Sequence, residues 1–285
     1  MVEALVTVAA RTDSGPVRKN NEDAFRVVEL DSGAVLEGVS GSRVCRPGSR
    51  GVLLALSDGM GGSQAGEVAS ALSVEKLAAA LVAAPDTDPP DRRLVSAVRA
   101  ANTEVVRAAR VGSRRGMGAT LTAVFVRDGE ALVAQVGDSR AYVLRSGILQ
   151  QVTRDQSLVQ ALVDSGTLTP EQARTSSRKN VILQALGRSK DVLVALGRLQ
   201  LRHGDRFLLC CDGVSNTFED GELAELLAGG DPATSCDRLI EQAISRGAED
   251  NVTAVVAHVE GPDLPPGRAD EPPVATLEVL RDWRS

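Results

Sequence analysis

The sequence predicts an α+β fold in which consecutive strands pair antiparallel. Two pairs of short apolar runs are each separated by a two-residue turn signal, Asp128-Gly129 in the first and Ser146-Gly147 in the second. Such turns join antiparallel strands, and three hairpin-linked strands in succession favour one antiparallel sheet. Amphipathic helical segments lie before and after this block, whereas a doubly wound sheet would alternate strands with helices.

The predicted elements follow one another in a defined order. The run GVLLALS over 51–57 is continuous and apolar, which is typical of a buried strand. Apolar residues recur at helical spacing over 65–84, where Pro85 ends the helix, and over 92–111. Later predictions are strands over 121–126, 131–136, 141–144, 148–152, 206–211 and 252–259, a helical insertion over 155–184 and a helix over 232–246. Within the insertion, Thr169-Pro170-Glu171-Gln172 indicates an N-cap followed by proline in the first turn.

A change of composition near residue 260 divides the chain. Prolines among charged residues over 261–285 predict a Pro-rich flexible tail after one domain spanning 1–260. The stretch 32–50, which is rich in Gly and Ser, is predicted to be an exposed loop.

Length, charge and composition restrict the class of partner. The 285 residues carry 32 basic and 38 acidic side chains, a formal net charge of −6, and 43% of them are hydrophobic. This balance indicates a globular chain, while the net acidity and the 2% aromatic content argue against nucleic acid as a partner. No signal-peptide pattern and no apolar run of roughly 18 residues is found. We therefore expect a cytoplasmic monomer that binds neither nucleic acid nor membrane.

Histidine and cysteine usage restricts the metal chemistry. The chain has only two histidines, His203 and His258, which nearly excludes a zinc site built on several imidazoles. The four cysteines show no CxxC spacing and are expected to be reduced and buried. A metal site would therefore have to be built from carboxylates.

Five aspartates lie where predicted strands begin or end. Asp58, Asp138 and Asp212 each follow an apolar run, and Asp23 and Asp250 each precede one. An Asp-Gly pair, present after two of these strands, is most often a simple turn. Five acids in equivalent positions nevertheless favour a shared site where sheet meets solvent. Oxygen ligands suit Mg²⁺ or Mn²⁺, and a bound dication would relieve the repulsion between the carboxylates.

Six strings along the chain occur in an order that resembles a known family. They are RTDSGPVRKNNEDAF (11–25), SDGMGGSQAGEVAS (57–70), GATLT (118–122), GDSR (137–140), CDG (211–213) and EDNVT (249–253). Each string alone is a weak signal. The ordered set resembles the bacterial branch of the PPM family, the metal-dependent type 2C Ser/Thr protein phosphatases, over about residues 7–260.

The resemblance implies a fold and a ligand set. Family members have a four-layer αββα sandwich of two antiparallel sheets flanked by helices, with a flap insertion that corresponds here to about 155–184. The resemblance further implies two Mn²⁺ or Mg²⁺ ions and a third, weaker one, held by Asp23, Asp58, Gly59, Asp138, Asp212 and Asp250. In this scheme Asp58 bridges two ions, the carbonyl of Gly59 binds one of them, and Asp138 holds the third.

The resemblance also implies the chemistry. A metal-bridging hydroxide would hydrolyse phosphoserine and phosphothreonine monoesters in proteins. Arg18 would bind the phosphate in a bidentate pair, and Glu22 would hold metal-bound water. Ser157 matches a flap serine associated with the third metal, although serines at helix starts are usually N-caps. The partners would be phosphoproteins, among them a Ser/Thr protein kinase.

Two other functions stay open at this point. A phosphatase-like domain could serve only as a binding module, although such a domain would be expected to lose a metal-binding aspartate. A phosphoester hydrolase acting on nucleotides could use the same metals, although no GxxxxGK[ST] motif is present.

Met60 stands where eukaryotic members of the family carry His, which leaves the proton donor for the leaving group unassigned.

Overall fold

Two antiparallel β-sheets pack face to face in the computed structural model, and helices cover the outer face of each. The structure describes residues 2–36, 41–61, 64–110 and 115–280. Its helices are α1 (Gln64–Ala83), α2 (Pro90–Ala108), α3 (Leu158–Asp164), α4 (Pro170–Arg174), α5 (Asp212–Ser215), α6 (Asp220–Ala228) and α7 (Pro232–Ser245). The four-layer αββα sandwich expected from the resemblance is confirmed.

The strands fall into two groups. They are β1 (Leu5–Asp13), β2 (Asp23–Glu29), β3 (Ala34–Leu36), β4 (Arg43–Cys45), β5 (Val52–Met60), β6 (Gly118–Ala119), β7 (Leu121–Arg127), β8 (Glu130–Val136), β9 (Arg140–Arg145), β10 (Ile148–Gln151), β11 (Ala195–Gln200), β12 (Asp205–Cys210), β13 (Val252–Glu260) and β14 (Leu277–Leu280). The first sheet has the order β10-β9-β12-β13-β1-β4, and α6 and α7 pack against it. The second has the order β14-β11-β8-β7-β5-β2-β3, with β6 paired to β5, and α1 and α2 pack against it.

Strand β5 shows why its apolar run has no polar alternation. Leu54 and Leu56 belong to the core between the two sheets, whereas Leu53 and Ala55 belong to the core beneath α1 and α2. Successive side chains of a strand point to opposite faces, and here both faces are covered. Burial on both faces therefore removes the polar alternation, and pairing with β2 and β7 holds the strand in the register that brings Asp58 opposite Asp23.

Both predicted hairpin turns are confirmed. Asp128 and Gly129 have φ values of 50° and 79°, and Ser146 and Gly147 have φ values of 49° and 82°. Two successive residues with positive φ are typical of a type I′ turn, which fits the twist of the paired strands.

The chain nevertheless changes sheets between the two hairpins. Strands β7 and β8 belong to the second sheet, and β9 and β10 belong to the first. The expectation of three successive strands in one sheet is therefore wrong, because residues 137–139 cross between the sheets. Gly137 has a φ of +103°, and a Cβ there would lie 2.7 Å from the side chain of Thr120. Only glycine fits at this crossing without strain.

The stretch 32–50 is only partly a loop. Strand β3 pairs with β2, β4 pairs with β1, and Cys45 is buried in the core. The predicted exposed loop is wrong for these two strands, because three-residue strands are too short to show a periodic pattern. Residues 37–40 lie outside the described residues.

The Pro-rich segment packs along the domain. Leu264 is buried, the backbone N–H of His203 donates to the carbonyl of Pro265 at 2.9 Å, and β14 pairs with β11. The prediction of a flexible tail is therefore wrong for residues 261–280. Proline removes a backbone donor but keeps its carbonyl acceptor, so such a segment can still dock at a sheet edge.

Two smaller predictions, the capping box and the buried cysteines, are confirmed as well. The capping box of α4 has the N–H of Gln172 bonded to Thr169 and the side chain of Gln172 bonded to the N–H of Thr169. The four cysteines are free and buried. Over the described residues, none of the helices is long and apolar enough to cross a bilayer.

A buried ion pair of the first sheet also contacts the second sheet. Arg145 on β9 donates twice to Asp205 on β12, at 2.8 Å each, and once to the carbonyl of Gln200 on β11 at 2.8 Å. The two charged side chains are 1% and 0% exposed. Because Gln200 belongs to the second sheet, this guanidinium ties the sheets together away from solvent.

Replacing Arg145 by Met should lower the free energy of unfolding by about 3–5 kcal/mol, because Asp205 would keep a buried charge without its partner. Urea unfolding followed by circular dichroism measures the loss. The matched control is Arg268→Met, which breaks the exposed pair with Asp270 and should cost less than about 1 kcal/mol. Equal losses in the two variants would contradict the role given to the buried pair.

Candidate metal centre

Asp23 and Asp58 face each other on neighbouring strands. They are register partners on β2 and β5, so strand pairing places two carboxylates side by side. The hydroxyl of Thr253 donates to Asp23 at 2.5 Å, and the backbone N–H of Asp58 donates to the hydroxyl of Thr120 at 2.9 Å. These bonds hold both residues at one edge of the sandwich.

The other three aspartates come from the first sheet and from the crossover. Asp212 begins α5 directly after β12, and Asp250 stands two residues before β13, the neighbouring strand. Asp138 lies in the crossover between β8 and β9 and is 8% exposed. Strand ends from both sheets therefore deliver acids to the same edge.

A cavity of about 840 Å³ opens at this edge. The predicted site residues on its wall are Arg18, Glu22, Asp58, Gly59, Asp138, Asp212 and Asp250. Asp23 pairs with Asp58 from the neighbouring strand. Asn180, Ile182 and Leu183, from the end of the flap, complete one side of the opening.

Burial raises the pKa values of four of the aspartates, Asp23, Asp58, Asp138 and Asp212. Loss of solvent is the main cause of shifts to about 7 for the pKa of Asp23, about 7 for that of Asp138 and about 6 for that of Asp212, and neighbouring carboxylates add to each. Burial, and then the charge of Asp23, also raises the pKa of Asp58 well above its usual value. The protein alone therefore resists ionising all these groups together, and a divalent cation would remove that resistance.

The residues present fit a hard divalent cation. Oδ1 of Asp212 is buried and has no hydrogen-bond partner, which is rare for a carboxylate oxygen and calls for a ligand. Carboxylates together with a backbone carbonyl are the donor set that Mg²⁺ or Mn²⁺ prefers. Among the described residues, no group of three or more His, Cys, Asp or Glu side chains forms a metal-holding cluster by itself. Carbonyl and water oxygens would therefore have to complete the coordination.

Gly59 lies at a point of close backbone approach. Its N–H donates to the carbonyl of Glu22 at 3.1 Å, and a Cβ at this position would lie 2.1 Å from the carbonyl of Gly66. A Cβ on Gly66 would in turn lie 2.3 Å from the carboxylate of Glu22. Two glycines therefore let the start of α1 come close enough to place Glu22 at the cavity. Burial raises the pKa of Glu22, and the guanidinium of Arg18 opposes that rise.

Arg18 reaches the cavity from the loop before β2. One of its guanidinium nitrogens donates to Asp250 at 2.7 Å, and about half of the side chain remains exposed. A guanidinium has five N–H donors, so this contact leaves others for an anion. Arg18 is thus placed to bind an oxyanion beside the carboxylates.

Asn251 is a site residue for which the sequence predicted no role. Its side-chain oxygen accepts from the N–H of Glu22 at 2.8 Å. Its amide donates to the carbonyls of Ser14 and Asn20, at 3.0 and 2.9 Å. One buried side chain therefore ties the loop that carries Arg18 to the strand end that carries Asp250. Its place beside Asp250 in the EDNVT string was the available signal.

A buried chain of hydroxyls was also missed. The hydroxyl of Thr120 bonds to Ser139 at 2.6 Å and accepts from the N–H of Asp58, while Ser57 donates to the carbonyl of Thr120 at 2.5 Å. These contacts connect the end of β5 to the crossover that carries Asp138. They hold Asp58 and Asp138 in place relative to each other, although the two residues come from different segments.

The flap residue Ser157 serves as a helix cap. Its hydroxyl accepts from the N–H of Gln160 at 3.3 Å at the start of α3. It also lines a side cavity of about 260 Å³ together with Asp138 and Asp155. Arg140 of the GDSR string donates to Asp155 in a bidentate pair at 2.7–3.0 Å, which joins the flap to the crossover.

Neither histidine lies on the cavity wall. His203 contacts Gly261 through its ring, and His258 lies in β13 with a ring nitrogen buried. The fold and the acidic edge thus define an α+β protein with a group of carboxylates whose oxygen donors suit divalent cations, and with an adjoining arginine.

Comparison with known proteins identifies the family. Residues 19–255 match the family described as Protein phosphatase 2C. The Ser/Thr protein phosphatase PstP of Mycobacterium tuberculosis is 40% identical over 264 residues, which is 90% of this chain and 46% of that protein. The Ser/Thr phosphatase stp of Listeria monocytogenes is 34% identical over 254 residues, 86% of this chain and 93% of that protein.

A solved structure gives the same result. The crystal structure of the PstP catalytic domain in complex with two manganese ions is 40% identical, covers 90% of this chain and 99% of that one, and has a TM-score of 0.75. The chain therefore belongs to the protein phosphatase 2C family. It spans about half the length of the M. tuberculosis relative.

Stability should depend on pH in a direction set by the raised carboxyl pKa values. Above about pH 4 the unfolded chain releases protons that folded Asp212 retains up to about pH 6, so folded stability falls as pH rises through this window. Thermal unfolding without added metal should show a lower Tm at pH 7.5 than at pH 5, with a smaller drop in Asp212→Asn. Excess Mn²⁺ should restore the Tm of the wild type at pH 7.5. A wild-type Tm that responds to neither pH nor Mn²⁺ would contradict the charge repulsion.

Asn251→Ala should weaken Mn²⁺ binding as well as stability, because it releases both Glu22 and the Arg18 loop. We expect a loss of about 1–3 kcal/mol in unfolding free energy and a lower affinity in calorimetric Mn²⁺ titration. Asn102→Ala is the matched control, since Asn102 is buried and makes three similar bonds, to Gly187, Ser189 and Lys190. If both variants bind Mn²⁺ equally well, Asn251 has only a structural role.

Proposed function

We propose that this chain is a metal-dependent phosphatase that hydrolyses phosphoserine and phosphothreonine monoesters in proteins. The observation that carries the proposal is the presence of four aspartates and Arg18 on the wall of one cavity, with Asp23 paired to Asp58 and a buried oxygen of Asp212 without a partner. Membership of the protein phosphatase 2C family supports it.

Asp23, Asp58, Asp212, Asp250 and the carbonyl of Gly59 would hold two ions, and Asp138 would hold a third, weaker one near Ser157. Manganese in a relative that is 40% identical supports Mn²⁺ as a cofactor, and the same oxygen donors suit Mg²⁺. When bound, the ions supply acidified water for attack on phosphorus and neutralise the charge of the phosphate.

The chain's own residues would bind and orient the substrate. Arg18 would exchange part of its contact with Asp250 for phosphate oxygens, which a guanidinium can bind in a bidentate pair. Glu22, held by Asn251 and by the close approach of Gly66, would accept a hydrogen bond from water at the cavity wall. The flap end at 180–183 narrows the opening on one side.

The cellular setting belongs to the same proposal. We infer that the protein acts as a monomer in the cytoplasm on phosphoproteins, a Ser/Thr protein kinase among them. The names of the bacterial relatives, which are Ser/Thr protein phosphatases, support phosphoproteins as the substrate class.

Hydrolysis of a phosphothreonine peptide in the presence of Mn²⁺ tests the proposal. We expect turnover that EDTA abolishes. Asp212→Asn should lower kcat/KM by more than about a hundredfold, because even partners behind the ligands of a metal are worth 10- to 100-fold. Undiminished turnover in EDTA or in Asp212→Asn would refute the metal mechanism. Absence of turnover despite bound Mn²⁺ would favour a binding module.

Arg18→Ala should lower kcat/KM for the same peptide by about 10- to 150-fold, which corresponds to one charged hydrogen-bonding contact. Arg238→Ala, an exposed arginine on α7, is the control and should leave it unchanged. Parallel assays with ATP separate the two hydrolase classes, since a nucleotide hydrolase would favour ATP over the peptide. If Arg18→Ala is as active as the control, phosphate binding must be assigned to another residue.

A further inference from the structure

A basic groove lies beside the cleft, formed by Arg110, Arg188 and Lys190. We propose that this groove binds acidic residues that flank the phosphorylated residue of a peptide substrate. The inference rests on the proposed phosphatase function and adds the substrate class. It assigns to the protein a preference for phosphoresidues within acidic segments.

The groove and the cleft share a wall. The groove has a volume of about 360 Å³ and lies between the end of α2 and the segment 187–190. Arg188 lines both the groove and the 840 Å³ cavity that holds the aspartates. A peptide whose phosphoresidue enters the cavity can therefore continue past Arg188 into the groove.

The three cations of the groove are available to an external anion. All three side chains are exposed, and none has an ion pair with a residue in the described parts of the chain. Other arginines around the cleft are engaged, since Arg18 pairs with Asp250 and Arg140 pairs with Asp155. In a chain with a net charge of −6, this concentration of unpaired positive charge attracts acidic segments selectively.

The segment that carries two of the cations is held in place. Buried Asn102 donates to the carbonyls of Ser189 and Lys190 at 3.0 Å each and accepts from the N–H of Gly187 at 2.9 Å. Leu186 exchanges two backbone bonds with Ala119, at 2.8 and 3.1 Å. The backbone beneath Arg188 and Lys190 is thus preorganised, so binding costs little ordering of the protein.

The size and layout of the groove favour several carboxylates over one dianion. The groove is larger than a single phosphate group, and its cations come from two separate segments, Arg110 just after the end of α2 and the other two from 187–190. Successive acidic side chains of an extended peptide match such a layout. Exposed ion pairs are individually weak, so each contact should contribute about two- to fivefold to kcat/KM.

The test compares three peptides with the same central phosphothreonine and flanks of alanine, of aspartate and glutamate, or with one additional phosphothreonine. Each is assayed with Mn²⁺ at low and at 0.3 M salt. We expect the wild type to favour the acidic over the alanine flank by about tenfold at low salt, mainly through KM, with the preference shrinking at high salt.

Two variants place the preference in the groove. Arg110→Ala combined with Lys190→Ala leaves only Arg188 of the three cations and should reduce the ratio of kcat/KM between acidic and alanine flanks to about twofold. Lys190→Glu changes the charge of the groove by the same amount as the double variant and should lower the ratio to a similar value. Arg238→Ala removes a positive charge from the opposite side of the sandwich, and this control should keep the wild-type ratio.

The outcomes separate this inference from the proposed function. Turnover of the alanine-flanked peptide by the wild type tests the phosphatase function alone. Two results would overturn the proposed role of the groove. One is a wild-type ratio of kcat/KM between acidic and alanine flanks near 1 at low salt, and the other is a wild-type ratio in the double variant. A preference for the doubly phosphorylated peptide without one for the acidic flank would also overturn it, because it would indicate a phosphate subsite instead.

Discussion

The burial of several carboxyl groups at one edge of the sandwich is the constraint on which the rest of the site depends. Burial raises the pKa values of Asp23, Asp58, Asp138 and Asp212, and their mutual proximity adds to the effect. A positive charge beside these groups would favour their ionised forms, and the buried oxygen of Asp212 that lacks a partner is the place where the donors fit such a charge. The acidic side chains need a rigid backbone around them, because otherwise they would move away from one another and become solvated.

The sandwich supplies that frame through contacts between distant parts of the chain. Arg18 reaches Asp250 across 232 residues, and Asn251 holds both the Arg18 loop and Glu22. Thr120 and Ser139 connect the end of β5 to the crossover. Each contact joins a strand end of one sheet to a loop or strand of the other, so the geometry of the site follows from the packing of the two sheets. This dependence explains why residues with no charge of their own matter for the metal centre.

Local patterns in the sequence were sufficient for most of the elements. The hairpin turns at Asp128-Gly129 and Ser146-Gly147, the capping box at Thr169 and the helices α1, α2 and α7 follow from turn chemistry, capping and periodicity. The errors have a shared cause. The change of sheet at 137–139, the short strands within 32–50 and the docking of residues 261–280 all depend on partners far away in the chain. A pattern within a short stretch of sequence cannot predict which distant segment that stretch will contact.

The sequence by itself determined the donor chemistry: acids at strand ends, glycines beside two of them, and too few histidines for an imidazole site. The ordered motifs also indicated the family. Only the tertiary structure decided which residues hold those acids in place, because Asn251 and Thr120 act through hydrogen bonds to segments that strand pairing brings near. The same is true of the basic groove, where Arg110 and Arg188 meet because α2 packs beside the segment that Asn102 holds. The type of each side chain can be read at its own position in the sequence. The proximity of side chains from distant positions arises only when the two sheets pack against each other.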